Sequence, residues 1–125
     1  DPITFEQVMR VNSTAVFMLT QSLLPLLKAA QSGSVVFTTS TVGHDLRPFW
    51  GAYALSKQSV EGMTTIFTQE TQKLTALRFN CINPGATRTN MRAPAFPGED
   101  PTTLKPLEER MPAYVKGQVV DCQPK

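Results

Sequence analysis

Residues 34–40 read SVVFTTS, and this stretch decides the fold. It is too short for a stable helix, and its apolar residues are continuous rather than alternating. A β-branched run of that kind suits a strand buried on both faces, as in a parallel sheet. Gly33 precedes it, and the loop TVGHDLRPFW, residues 41–50, follows. A second such run, ALRFNCIN at residues 76–83, is stopped by Pro84-Gly85. Between the two, residues 51–74 carry Tyr53, Lys57, Met63, Ile66 and Phe67, the pattern of a long helix. Upstream, TFEQ has the form of a capping box with Thr4 as N-cap and Gln7 three residues on. Val8, Val11, Ala15, Met18, Leu19 and Ser22 then recur at helical spacing, which predicts a helix from residue 5 to about 30, kinked at Pro25.

Helix and strand therefore alternate, which predicts a parallel sheet with helices on both faces. Ligands of such sheets bind beyond the carboxyl ends of the strands. Ser40 ends the first strand, Pro84-Gly85 follows the second, and Tyr53 lies in the first turn of the intervening helix. All three are expected at one edge. Seven of the ten prolines lie from Pro84 onward. They mark PGATRTNMRAPAFPGEDP, residues 84–101, as a long irregular loop of the functional sort. A short helix near Thr103–Arg110 and a last strand, GQVVDCQ, are expected after it.

Bulk properties narrow the function. A chain of 125 residues is one domain, and a net charge of +2 argues for neither nucleic acid nor an anionic membrane. Arg88 and Arg92 form no basic stripe, and no aromatic platform accompanies them. No apolar run is long enough to span a bilayer. No signal peptide is expected from the polar opening DPITFEQ. Cys81 and Cys122 form no Cys-x-x-Cys pair and read as free thiols of a reducing compartment, so a cytoplasmic location is expected, and no metal site. The chain opens on Asp1-Pro2 without methionine, which suggests a piece of something longer.

Tyr53 and Lys57 stand four residues apart, on one face of a helix. That spacing arises easily by chance. Four further features converge with it: Ser40 thirteen residues before Tyr53, Asn12 in the preceding helix, and the segments VVFTTSTVG and INPGATRTNM. Together with VNSTAVF and YALSK, this set resembles the short-chain dehydrogenases/reductases, in order and over nearly the whole chain. The stretches FMLTQSLLPLL and WGAYALSK bring it nearest to a bacterial oxidoreductase branch of that family.

The resemblance implies the C-terminal part of a Rossmann-like, doubly wound parallel sheet of three αβα layers, residues 1–125. It implies a catalytic set of Asn12, Ser40, Tyr53 and Lys57. Tyr53 would exchange a proton with the oxygen of a small carbonyl or secondary-alcohol substrate while hydride moves to or from NAD or NADP. A free tyrosine titrates near pH 10, so a cation that favours the phenolate is needed, and Lys57 would supply it. Lys57 would also bind the nicotinamide ribose, Ser40 would hold the substrate oxygen, and Asn12 would hold a water of a proton relay. Pro84, Gly85, Thr87 and Thr89 would hold the nicotinamide carboxamide, with the proline-rich stretch as substrate loop. A homodimer or homotetramer is the family expectation.

Two departures stand against this pattern. The Gly-rich pyrophosphate turn that should precede the chain's first helix is not in the sequence, nor is the residue that selects NAD or NADP. Between MPAY and GQVVDCQP the family carries a helix of roughly ten residues, in keeping with the length a parallel crossover needs. Here only Val115 and Lys116 intervene, which reads as an internal deletion. The alternative function is a non-catalytic remnant that associates through its long helices. A third reading, a Ser-His-Asp hydrolase built on Ser40, His44 and Asp45, lacks the Gly-x-Ser-x-Gly elbow.

Overall fold

The computed structural model describes residues 1–116. The first helical run starts earlier than the capping box predicts: α1 spans Pro2–Met9, and its N-cap is Asp1 rather than Thr4. The Asp1 carboxylate accepts from the backbone N–H groups of Ile3 and Thr4 at 3.3 and 3.2 Å. An aspartate followed by proline at the first helical position is the stronger signal. The charge faces the positive helix end, and Pro2 forfeits only an N–H that would have been orphaned. A π-helical turn, Arg10–Thr14, links α1 directly to α2, Ala15–Ala29, so one long helical rod results. Pro25 lies inside α2, and the helix continues past it to Ala29.

Strand β1, Ser34–Thr38, pairs in parallel with β2, Arg78–Ile82, in the register Ser34 to Arg78 through Thr38 to Ile82. The pairing runs one residue further, since the Thr39 N–H donates to the Ile82 carbonyl at 2.9 Å. The crossover between them is α4, Gly51–Thr71. Residues 41–50 are not wholly loop: Thr41–His44 form a single-turn helix, α3. Instead of one helix over Thr103–Arg110 there are two 3-10 turns, Pro101–Thr103 and Leu107–Glu109, and then α6, Met111–Lys116. A short α5, Arg92–Ala95, lies within the proline-rich stretch. The expected strand GQVVDCQ lies outside the described residues.

The core sits on one face of the sheet. Val35 and Phe37 of β1 and Phe79 and Cys81 of β2 alternate onto it, and Val60 and Phe67 of α4 close over them. Val16, Leu24 and Leu27 of α2 pack against the same cluster. Phe67 is the hub: its ring lies 5.1 Å from Phe79, 5.9 Å from Phe17 and 6.5 Å from Phe37, centroid to centroid. Burying the rings of Phe37, Phe67 and Phe79 is worth about 1.5–3 kcal/mol each. Among the described residues both long helices serve this one face. Val36 and Asn80, which alternate to the other face, are only half buried.

Helix α3 packs tightly on α4. A Cβ on Gly43 would fall 2.7 Å from Lys57 Cβ and 2.9 Å from the Lys57 carbonyl carbon, a gap no side chain can enter. Gly43→Ala is therefore expected to lower the unfolding free energy by about 1–3 kcal/mol. Gly62→Ala, at an exposed position of α4 with nothing within 4 Å of the new methyl group, should raise it by up to about 1 kcal/mol. Urea denaturation of the two variants checks the contrast.

Candidate active site

The carboxyl ends of β1 and β2 open into one cavity of about 540 Å³. Of the residues singled out from sequence, Ser40, Tyr53, Lys57, Pro84, Gly85, Thr87 and Thr89 all line it. Asn12 does not. It lies in the π-helical turn and donates from Nδ2 to Ser56 Oγ at 3.1 Å. Ser56 is wholly buried and donates in turn to the Tyr53 carbonyl at 2.8 Å. Asn12 thus reaches the Tyr53 turn through one intervening hydroxyl.

Tyr53 and Lys57 point from the first two turns of α4 across the end of β1. The Lys57 ammonium donates to the Thr38 carbonyl at 3.1 Å and lies 5.8 Å from the Tyr53 ring centroid. Burial pushes the Lys57 ammonium below the ordinary lysine range, and the neighbouring Cys81 sulfur offsets part of that shift. The rim opposite is set by the turn after β2. Gly85 has φ +68°, a left-handed conformation that glycine adopts without strain. Its N–H donates to Asn83 Oδ1 at 3.0 Å, and Thr87 Oγ1 donates to the Gly85 carbonyl at 3.1 Å. Asn83 Nδ2 also donates to Thr41 Oγ1 at 3.1 Å, which ties the turn after β2 to the turn after β1.

Sequence reasoning left several contributors out. Trp50 lines the cavity beside Tyr53, with ring centroids 5.9 Å apart, and stacks on Phe96 at the same distance. Arg92 lies over the Phe96 ring at 3.7 Å and grips Glu99 with two hydrogen bonds of 2.8 and 2.9 Å. That pair holds the Glu99 carboxyl below the usual carboxylate range. The proline-rich stretch is therefore an organised wall. Its proline density marked the stretch as functional, but not the contacts of Trp50, Phe96, Arg92 and Glu99 that organise it. The wall is braced from below, where Arg110 donates to the Ala86 carbonyl at 3.2 Å and Tyr114 Oη meets Thr38 Oγ1 at 3.0 Å.

The Ser-His-Asp alternative finds no geometry. His44 Nδ1 faces Glu61 Oε2 at 3.4 Å, and His44 is not among the residues lining the cavity. No group of three metal-ligating side chains occurs among the described residues. No helix among them is long and apolar enough to cross a membrane.

Known proteins place this arrangement in a class. Residues 1–100 match the model of the short chain dehydrogenase family, and the chain belongs to that family. It is 49% identical to the uncharacterized oxidoreductase YciK of Escherichia coli K12, over 99% of this chain and 52% of the relative. It is 31% identical to an NADPH-dependent aldehyde reductase-like chloroplast protein of Arabidopsis thaliana, over 96% of this chain and 43% of the relative. The crystal structure of E. coli YciK superposes with a TM-score of 0.87 at 54% identity, over 92% of this chain and 46% of that one. A short chain dehydrogenase of Shigella flexneri complexed with NADP matches with the same TM-score at 53% identity, over 92% of this chain and 47% of that one. The chain spans about half the length of these relatives. The alignment to YciK runs over 134 positions for a chain of 125 residues, so the relative carries residues that this chain lacks.

The Lys57 environment has a testable consequence. Its folded value lies below the ordinary 10.5, so between the two values the unfolded chain binds more protons, and stability rises with pH through that window. Lys57→Met abolishes this dependence. The stability of the Met variant relative to the unsubstituted chain should fall as pH rises toward the ordinary lysine value of 10.5 in urea denaturation.

Proposed function

We propose that the protein carrying this chain is an oxidoreductase that interconverts a small carbonyl compound and its secondary alcohol with NAD or NADP, using Tyr53 as acid and base. The observation that carries this reading is the single cavity into which Ser40, Tyr53 and Lys57 converge opposite the Pro84-Gly85 turn. A bound nicotinamide cofactor would supply or accept the hydride. The residues present fit its nicotinamide end: a half-buried ammonium at Lys57, hydroxyls at Thr87 and Thr89, and Gly85, which bears no side chain of its own, on the rim. The pyrophosphate cradle is not among these residues. The relatives complexed with NADP and with NADPH support a nicotinamide partner.

Chemistry then divides among the side chains of this chain. The Tyr53 hydroxyl gives a proton to the substrate oxygen in reduction and takes it back in oxidation. The Lys57 ammonium favours the negative charge left on the phenol oxygen and reaches the cofactor ribose. Ser40 donates to the substrate oxygen and stabilises the charge that develops there. Asn12 supports the Tyr53 turn through Ser56 and joins the proton path toward Lys57. The assembled cavity favours this reading over an association module. A homodimer or homotetramer in the cytoplasm suits the exposed apolar residues of α2, among them Met18, Leu19 and Leu26.

Tyr53→Phe removes only the ionisable oxygen. In the protein that carries this chain it should cut carbonyl reduction at least about a hundredfold, while NADPH still quenches Trp50 fluorescence with an unchanged midpoint. Retained turnover would overturn the acid/base assignment.

A further inference from the structure

Ser40 sits on a turn, while Tyr53 and Lys57 sit on a helix, and something must hold the two in register. The turn is short: Gly43 N–H donates to the Ser40 carbonyl at 2.9 Å and Asp45 N–H to the Thr41 carbonyl at 2.8 Å. These bonds close α3 on itself but do not fasten it to α4. The residue beside Ser40 does. Thr39 is 3% exposed, and its hydroxyl donates to Glu61 Oε1 at 2.7 Å, with the Lys57 carbonyl 3.4 Å away. The other carboxylate oxygen of Glu61 faces His44 Nδ1 at 3.4 Å, at the far end of the same turn. One carboxylate therefore touches both ends of the six-residue segment Thr39–His44.

We propose that Glu61 is a positioning residue of the active site: it clamps the Ser40 turn onto α4 through Thr39 and His44, and so sets the distance between Ser40 and the Tyr53–Lys57 pair. The proposal rests on the oxidoreductase reading given above. Glu61 lies one turn beyond Lys57 and outside the cavity lining, so it touches neither substrate nor cofactor. The link to Thr39 is the decisive one, because it is short, its donor is buried, and that donor adjoins Ser40 in sequence. A hydrogen bond to a carboxylate is among the stronger kinds. Losing it leaves the Thr39 hydroxyl buried with only the distant Lys57 carbonyl. The His44 contact, longer and more exposed, is the weaker half of the clamp. Reaction rates fall steeply when a catalytic group shifts by about an ångström, so loosening this turn should act on turnover rather than on cofactor affinity.

The test uses the protein that carries this chain, with NADPH and phenanthrenequinone as a generic carbonyl probe. Glu61→Ala and Thr39→Val should lower kcat at least about tenfold and leave the NADPH midpoint unchanged. Glu61→Gln keeps an acceptor for Thr39, and Thr39→Ser keeps the donor, so both should restore most of the rate. Amide hydrogen exchange gives an independent arm. Residues 41–45 should exchange faster in Glu61→Ala and Thr39→Val than in the unsubstituted protein or the Gln and Ser variants, with the amides of residues 60–71 unchanged. Unchanged exchange in residues 41–45, or a rate lost equally in Glu61→Gln and Glu61→Ala, would overturn the clamp. Exchange that responds as expected while Tyr53→Phe retains turnover would instead sink the oxidoreductase chemistry and leave the clamp standing.

Discussion

Parallel pairing of β1 with β2 is the constraint on which the rest depends. Two parallel neighbours cannot be joined by a tight turn, so the chain must travel the full length of the sheet and return. Helix α4 makes that journey. Its first turns necessarily start beside the carboxyl end of β1, and the end of β2 arrives at the same edge. Ser40, Tyr53, Lys57 and Gly85 are separated by up to 45 positions in the chain, yet the topology delivers them to one rim. Once the register is set, the site follows from where the strands stop. The final backbone bond, Thr39 to Ile82, marks that stopping point.

Precision at the rim comes from small polar links rather than from the hydrophobic core. The aromatic cluster around Phe67 fixes α4 on the sheet, but it lies about four turns from Tyr53. Near the site the chain relies on Thr39 to Glu61, Asn83 to Thr41, and Asn12 to Ser56. Each joins two elements far apart in sequence. Gly43 complements them by removing the one side chain that would hold α3 away from Lys57. Where helices approach this closely, a single methyl group is as consequential as a lost hydrogen bond.

The parts legible in the sequence were those governed by local periodicity or by a motif. The β-branched run at residues 34–38 and the RFNCI run at residues 78–82 proclaimed strands, and the apolar spacing around Phe67 proclaimed α4. Ser40, Tyr53 and Lys57 were legible because strand ends and first helical turns face the same edge. Asp1 was missed as a cap because the capping-box pattern at Thr4 competes with it. The single turn α3 was missed because TVGH carries no periodicity, and its helix is held by packing on α4. Glu61 was invisible for a different reason: a glutamate at a helical position reads as solvated, and only the three-dimensional approach of Thr39 shows otherwise. The wall built by Trp50, Phe96, Arg92 and Glu99 likewise depends on how an irregular stretch folds back, which spacing cannot encode.

Asn12 reaches the turn that carries Tyr53 without lining the cavity. A π-helical turn widens the helix by one residue per turn and breaks the regular ladder, a distortion that costs stability and clusters where side chains must be re-aimed. Here it turns Asn12 toward α4, where the amide meets Ser56, and Ser56 meets the carbonyl of Tyr53. Ser13, the next residue, is buried and contacts Ser59 at 2.6 Å. The two neighbours thus fasten the distorted turn to α4 at two successive helical levels. An apolar seam could hold these helices together equally well, but it would allow them to slide. Directional bonds from a bulged turn do not, and they tie the azimuth of Tyr53 to the one place where the preceding helix departs from regular geometry.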